Sequence, residues 1–267
     1  MAKDLKDICT KVCSLARDTG DFIKKEAGKI TVDKIEIKGF NNFVTYVDKI
    51  SEQQLVKGLQ SILPGAGFIT EEGSAFENDS KYRWVIDPLD GTTNFIHGLP
   101  PYSISIGLME NDEVVLGVIY EVNSDECFYS WKNGKAYMND KIINVSGVSK
   151  VKDGLIATGF PYNNYNFLKP YMKSLEYLFA HSHGVRRIGS AAIDLAYVAC
   201  GRFDSFYEYN LNPWDVAAGS LIVQQAGGIV SDFNGGNDFI FGKQIIASNF
   251  LIYEEFYKVI NNIFSIK

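Results

Sequence analysis

Near residue 150 the spacing of apolar residues changes period, and that change limits the architectures open to this chain. Upstream, short β-branched and aromatic runs are separated by turn signals. Gly67 to Thr70, Trp84-Val85-Ile86, Ser103 to Met109 and Val114 to Val122 read as strands. Asn111-Asp112 closes a hairpin, and Asn133-Gly134 and Asn139-Asp140 mark further tight turns. This is the pattern of an antiparallel meander. Downstream, Leu155 to Thr158, Asp204 to Tyr207, Ile229 to Ser231 and Lys243 to Ala247 read as strands. Helical spacing separates them at Leu168 to Phe179, Ser190 to Ala199, Trp214 to Ala226 and Tyr253 to Phe264. Alternation of this kind implies a sheet covered by helices. The chain therefore reads as α/β (α+β), with one subdomain over residues 1–150 and a second over 151–267.

Two helices precede the meander. Leu5, Ile8, Cys9, Val12, Leu15 and Ala16 keep the 3.6-residue period, which Gly20 interrupts before Phe22 and Ile23 offer a continuation. A second helix reads from about Ser51 through Leu55, Val56, Leu59 and Ile62 to a stop at Pro64-Gly65.

A chain of 267 residues, 46% hydrophobic with 18 Phe and 15 Tyr, can bury a core of ordinary size. Its net charge of -6 argues against nucleic-acid or anionic-membrane partners, which need a basic footprint. No stretch is apolar for long enough to span a bilayer, and the acidic N-terminus lacks the apolar run of a signal peptide. Cys9, Cys13, Cys127 and Cys200 form no Cys-x-x-Cys pair and read as reduced, structural thiols. A cytoplasmic location is expected.

The chemistry is concentrated in three acidic segments. In Trp84-Val85-Ile86-Asp87-Pro88-Leu89-Asp90-Gly91-Thr92-Thr93-Asn94-Phe95 an apolar strand delivers two carboxylates three residues apart, and Gly91-Thr92-Thr93 then opens a short helix. Free N–H groups at such an opening favour an anion, and carboxylates beside them can hold a hard cation. Read alone, Asp87 would cap a turn and Asp90 a helix. Thr70-Glu71-Glu72-Gly73-Ser74 follows another apolar strand, and its acids read alone would be solvated. Asn212-Pro213-Trp214-Asp215 places an acid at a helix start, where an N-cap role is the simpler explanation. Taken together, three separate segments supply the several oxygens that a divalent cation requires.

In their order and spacing these segments resemble the inositol monophosphatase family, within the fructose-1,6-bisphosphatase-like superfamily. The motifs are Thr70-Glu71-Glu72, Asp87 to Phe95, and Trp214-Asp215-Val216-Ala217-Ala218-Gly219 with Ala226-Gly227-Gly228, and the similarity runs from about Leu5 to Ala247. The resemblance implies a layered αβαβα sandwich, antiparallel in its first sheet and mixed in its second. It implies Mg²⁺, two ions or three, held by Glu71, Asp87, the Leu89 carbonyl, Asp90 and Asp215. It implies that Thr92 helps Glu71 position the attacking water, with Asp48 supporting Thr92. Phosphate contacts fall on Gly91, Thr92 and Thr93. Contacts to the rest of the substrate fall on Asp90, Gly189, Ser190, Ala191, Glu208 and Asp215. Lys38 falls on a loop that covers the metal site in relatives. The implied activity is Mg²⁺-dependent hydrolysis of an inositol monophosphate or a related sugar or polyol phosphate, Li⁺-sensitive, by a homodimer.

Three other readings compete. Asp-x-x-Asp-Gly-Thr approaches the Asp-x-Asp-Gly-Thr nucleophile motif of haloacid-dehalogenase-type phosphatases, but the extra residue changes the side each carboxylate faces. Within the superfamily, a 3′(2′),5′-bisphosphate nucleotidase or a fructose-1,6-bisphosphatase is the alternative. A regulatory, protein-binding role on the same fold is the alternative of another class. The chain lacks the Gly-x-x-x-x-Gly-Lys-Ser/Thr stretch of P-loop kinases. Of the remaining polar residues, His97, His181 and His183 read as loop or helix-end residues, while Arg186-Arg187 fits a substrate contact, a subunit contact or solvated charge.

Overall fold

The computed structural model describes residues 4–30, 35–39, 42–74, 80–160 and 165–265. In chain order, α1 (Leu5–Glu26) leads to the hairpin β1 (Ile35–Gly39) and β2 (Asn42–Thr45), then α2 (Tyr46–Ile62). β3 (Gly67–Thr70), β4 (Tyr82–Asp90) and the short α3 (Thr92–Ile96) follow. β5 (Ser103–Glu110), β6 (Glu113–Glu121), β7 (Glu126–Trp131), β8 (Tyr137–Met138) and β9 (Lys141–Ile142) complete the first half. The second half holds β10 (Leu155–Thr158), α4 (Leu168–His181), β11 (Gly184–Arg186), α5 (Ala191–Ala199) and β12 (Ser205–Tyr209). It ends with α6 (Pro213–Gln225), β13 (Gly228–Ser231), β14 (Gln244–Asn249) and α7 (Tyr253–Phe264).

These elements stack in five layers. α1 and α2 cover one face of a seven-stranded sheet ordered β3-β4-β5-β6-β7-β8-β9. α5 and α6 lie between that sheet and a five-stranded one ordered β11-β10-β12-β14-β13, and α4 and α7 cover the outer face of the second sheet. Three apolar clusters fill the interfaces. One joins α1 and α2 to the first sheet, another surrounds α5 and α6, and the third lies under α4 and α7. The αβαβα sandwich is thus as expected.

A helix between two sheets must be apolar on every side. α6 meets that demand with small residues, and Val216 to Val223 are all buried. Its backbone presses on the first sheet: a Cβ on Gly117 would fall 2.5 Å from the Ala218 carbonyl. Gly20 likewise does not end α1. The helix runs on to Glu26, and the missing side chain admits Tyr120, whose Cε1 would lie 2.3 Å from a Cβ there.

Two expectations need correction. α2 begins at Tyr46, five residues before the expected start, so Asp48 lies on a helix. The run Phe43-Val44-Thr45-Tyr46-Val47 looks like strand, but Thr45 and Asp48 form a capping box that starts the helix inside it. The first sheet is antiparallel apart from one pair, since β3 runs parallel to β4. The β1 backbone includes Lys38, but its side chain and neighbours Phe40 and Asn41 lie outside the described residues, so the covering-loop expectation falls there. Among the described residues no helix is long and apolar enough to cross a membrane.

Candidate active site

The parallel pair determines where the first two acids meet. Thr70 is in register with Ile86, so Glu71 and Asp87 leave their strands side by side, and the Glu71 N–H still donates to the Ile86 carbonyl at 3.3 Å. An antiparallel pairing would have sent Glu71 to the opposite end of the sheet.

Asp87 and Asp90 pose a second problem. In a regular strand, residues three apart point to opposite faces. β4 departs from regularity here: Asp87 pairs with Ser105 and Asp90 with Ser103, three residues against two. The bulge contains Pro88, which has no N–H to lose from the ladder. Leu89 donates its N–H to Asp87 Oδ1 at 2.9 Å. As a result Asp87, Leu89 and Asp90 all line one pocket.

The second half of the chain closes that pocket. Asp90 Oδ2 accepts from Ser190 Oγ at 2.6 Å and from the Ala192 N–H at 2.7 Å, both in the first turn of α5. Asp215 is the third residue of α6, not its cap; its Oδ2 accepts from the Asn212 N–H at 2.7 Å. Ser105 Oγ donates to the Trp214 carbonyl at 2.9 Å, which ties that first turn to the first sheet. Gly91, in the left-handed region at φ 92°, sits where a Cβ would be 3.1 Å from the Pro101 carbonyl and 3.2 Å from that of Gly189. Only glycine suits both the conformation and the closeness. Asn94 was not assigned a role from sequence, yet its Nδ2 donates to Pro101 and Ile188 carbonyls at 2.9 and 2.8 Å and so joins the two halves beside the site.

Behind the pocket stands a chain of short hydrogen bonds. Asp48 is buried and does not line the pocket. Its Oδ2 accepts from Thr45 Oγ1 at 2.6 Å and from the Thr45 N–H at 2.8 Å. Thr92 Oγ1 lies 3.0 Å from Asp48 Oδ1 and 3.0 Å from the Leu89 carbonyl, so its single proton has two acceptors to choose from. Asp48 is therefore a positioning residue that acts through Thr92. Glu52, one turn further along α2, went unnoticed in the sequence. Its buried carboxylate accepts from the Glu72 and Ser74 N–H groups at 2.8 and 2.7 Å and secures the turn that follows Glu71.

The acids strain against one another. Burial first, then Asp215, Glu72 and Asp48, pushes the Glu71 carboxyl well above the ordinary carboxylate range. Burial, Glu71, Asp90 and Asp215 do the same to Asp87. Asp215 is pushed up to about 7, by burial and then by Asp90. Asp90 is raised by burial, which its bonds to Ser190 and the α5 amides oppose. Like charges forced together out of water are stabilised by a cation or by protons. Glu71, Asp87, the Leu89 carbonyl, Asp90 and Asp215 offer oxygen alone, and no His or Cys lines the pocket. That donor chemistry fits Mg²⁺ and disfavours softer metals. Among the described residues, no three His, Cys, Asp or Glu side chains are gathered tightly enough to hold an ion unaided.

Thr93, Gly189, Ser190, Ala191 and Glu208 also line the pocket, as expected. So do further residues without a role assigned from the sequence, among them Gly159, Phe160, Asp194 and, out of the ambiguous Arg pair, Arg187. Arg186 is exposed on β11, whereas the Arg187 guanidinium lies 5.3 Å from the centre of the Phe160 ring. Glu208 packs so closely on Gly159 that a Cβ there would come within 1.9 Å of Glu208 Oε1. His97, His181 and His183 take no part in the pocket.

The profile of the inositol monophosphatase family matches residues 4–265. An inositol-1-monophosphatase of Mesorhizobium japonicum is 39% identical over 246 residues, 92% of either chain. The Nus factor SuhB of Escherichia coli K12 is 40% identical over 237 residues, 88% of either chain. The crystal structure of the extragenic suppressor protein suhB of Bartonella henselae superposes with a TM-score of 0.89 at 38% identity, covering 94% of this chain and 97% of that one.

Proposed function

Because this chain belongs to the inositol monophosphatase family, we propose that it is a Mg²⁺-dependent phosphomonoesterase acting on an inositol monophosphate or a related sugar or polyol phosphate. The observation that carries this reading is the convergence of four carboxylates and one carbonyl from β3, β4 and α6 beside the Thr92–Asp48 pair. Glu71, Asp87, Leu89, Asp90 and Asp215 would hold the metal, in two ions or three. When bound, Mg²⁺ would acidify water and offset the charge of the phosphoryl group.

The protein's own groups supply the rest. With its proton donated to Asp48, Thr92 Oγ1 has lone pairs left to accept from a water, which fixes that water's orientation. Glu71 lines the same pocket and can accept the water's other proton. At α3 the first helical bond runs from the Phe95 N–H to the Gly91 carbonyl. The N–H groups of Gly91, Thr92 and Thr93 precede it, at a helix opening that suits phosphate oxygens. Asp90 is held rigid by α5 and keeps its place on the leaving-group side, where Ser190 and Ala191 follow. No covalent enzyme intermediate is needed. A single molecule and its homodimer would serve this chemistry alike, and a homodimer is proposed.

Phosphate release across a panel of phosphomonoesters, with and without Mg²⁺, tests the reading. Turnover of inositol or sugar phosphates that requires Mg²⁺ is expected. No release from any of them would overturn it.

A second reading draws on the 40% identity to a Nus factor: a protein-binding role on the same fold. It predicts that substitution of Asp87 leaves that role intact while hydrolysis is lost. A role abolished together with hydrolysis would contradict it.

A further inference from the structure

Asp194 is the most buried acid in the pocket that the hydrolytic chemistry does not use. It is 1% exposed, and its Oδ1 has no hydrogen-bond partner among the described residues. Leaving such an oxygen unmet costs stability, and more so when it is charged. Burial and the nearby Glu208 and Asp90 charges raise its pKa strongly, with Arg187 opposing. A side chain maintained at that cost calls for a ligand.

Its placement says which ligand. Ser190, the N-cap of α5, and the Ala192 N–H clamp Asp90, and Asp194 follows in the first turn of the same helix, its N–H donating to the Ser190 carbonyl at 3.0 Å. Its distance from the reacting end is thereby fixed. Beside it is Glu208, likewise buried and seated against Gly159. A phosphate could not approach two neighbouring acids without repulsion. A hydroxyl can, because it donates to a carboxylate or accepts from a carboxylic acid, so it meets Asp194 in either protonation state. Resting on the phosphomonoesterase reading, we propose that Asp194 is a specificity-determining residue. Its carboxyl group, which lines the pocket with that of Glu208, takes a substrate hydroxyl next to the one taken by Glu208, so this part of the pocket selects a polyol with neighbouring hydroxyls.

The test compares inositol 1-phosphate with phenyl phosphate, which has no hydroxyl on its alcohol part, in the Asp194→Ala and Asp194→Asn variants. In Asp194→Ala, kcat/KM for the inositol ester should fall at least tenfold more than that for the phenyl ester, mainly through KM. Asp194→Asn should recover part of the difference, since an amide still bonds a hydroxyl. The melting temperature of Asp194→Ala should equal or exceed the wild type's, because an unmet buried acid has been removed. Equal loss on both substrates, or no loss, overturns the proposal, as does a lowered melting temperature with unchanged selectivity. Should Asp194→Ala fail to fold, the same comparison in Asp194→Asn decides by the same criterion. Wild-type protein that hydrolyses neither ester sinks the phosphomonoesterase reading itself, whereas active wild-type protein with unchanged selectivity in the variants sinks this inference alone.

Discussion

At the near end of the cleft Asp90 is clamped by a hydroxyl and an amide, while at the far end Asp194 keeps an oxygen with no partner among the described residues. Both acids are close to the same helix, α5, yet they are supported in opposite ways. The near end combines two parallel strand ends and a one-residue bulge with two helix first turns from the second half of the chain. Its acids are aimed before any ligand arrives, as electrostatic catalysis requires. The far end repeats the parallel strand ends, since Thr158 is in register with Tyr207 and Gly159 meets Glu208 just beyond, but it leaves Asp194 unclamped and sets Phe160 under Arg187. Rate should therefore depend on the near end, and choice of substrate on the far end.

Substitutions can break that division. The largest effect is expected for Asp87→Asn, which removes one charge at the centre of the carboxylate group. We expect kcat/KM to fall about 1000-fold, ~4 kcal/mol of lost transition-state stabilisation, with the fold unchanged by circular dichroism. A loss below tenfold would mean that the near end does not drive the rate. Next comes Thr92→Val, isosteric but without the hydroxyl that Asp48 orients. Its kcat should drop about 100-fold with little change in KM. A KM effect alone would move Thr92 to the binding side of the comparison. Gly159→Ala addresses the far end, where the new Cβ must displace the Glu208 carboxylate. The preference for inositol 1-phosphate over phenyl phosphate should fall about tenfold. An unchanged preference would show that Glu208 does not read the substrate.

The smallest effect is thermal. The raised carboxyl pKa values mean that the folded protein binds more protons than the unfolded chain. Stability of the metal-free protein should therefore fall as pH rises from the ordinary carboxylate range towards Asp215's value of about 7. The melting temperature of metal-free protein should decline by a few degrees between about pH 5 and pH 7.5, and saturating Mg²⁺ should flatten the decline. A flat profile without metal would show that the acids are not confined together.

The same division explains what could be read beforehand. Asp87 to Phe95 carries its chemistry in one continuous stretch, so the near end was legible; the change in apolar period marked the two halves, and the layered sandwich was implied by the family resemblance. The parallel pairing of β3 with β4 was not legible, because pairing depends on the path between strands and neither strand's own pattern records it. The resemblance paired Asp48 with Thr92, and the two lie 3.0 Å apart, but the start of the Asp48 helix was hidden because β-branched and aromatic residues there mask a capping box. Asp194 left no signal, since an acid near a helix start is also what the helix dipole favours. Gly159 reads as a turn glycine until Glu208 is seen against it.

On the proposed function, the confined carboxylates hold a divalent cation without which water does not attack. Phosphate release from inositol 1-phosphate, measured with protein stripped by EDTA and then titrated with Mg²⁺, tests this most directly. No turnover is expected in the stripped protein, with full recovery on titration and no recovery in Asp87→Asn over the same Mg²⁺ range. Turnover at the full rate in EDTA would contradict it.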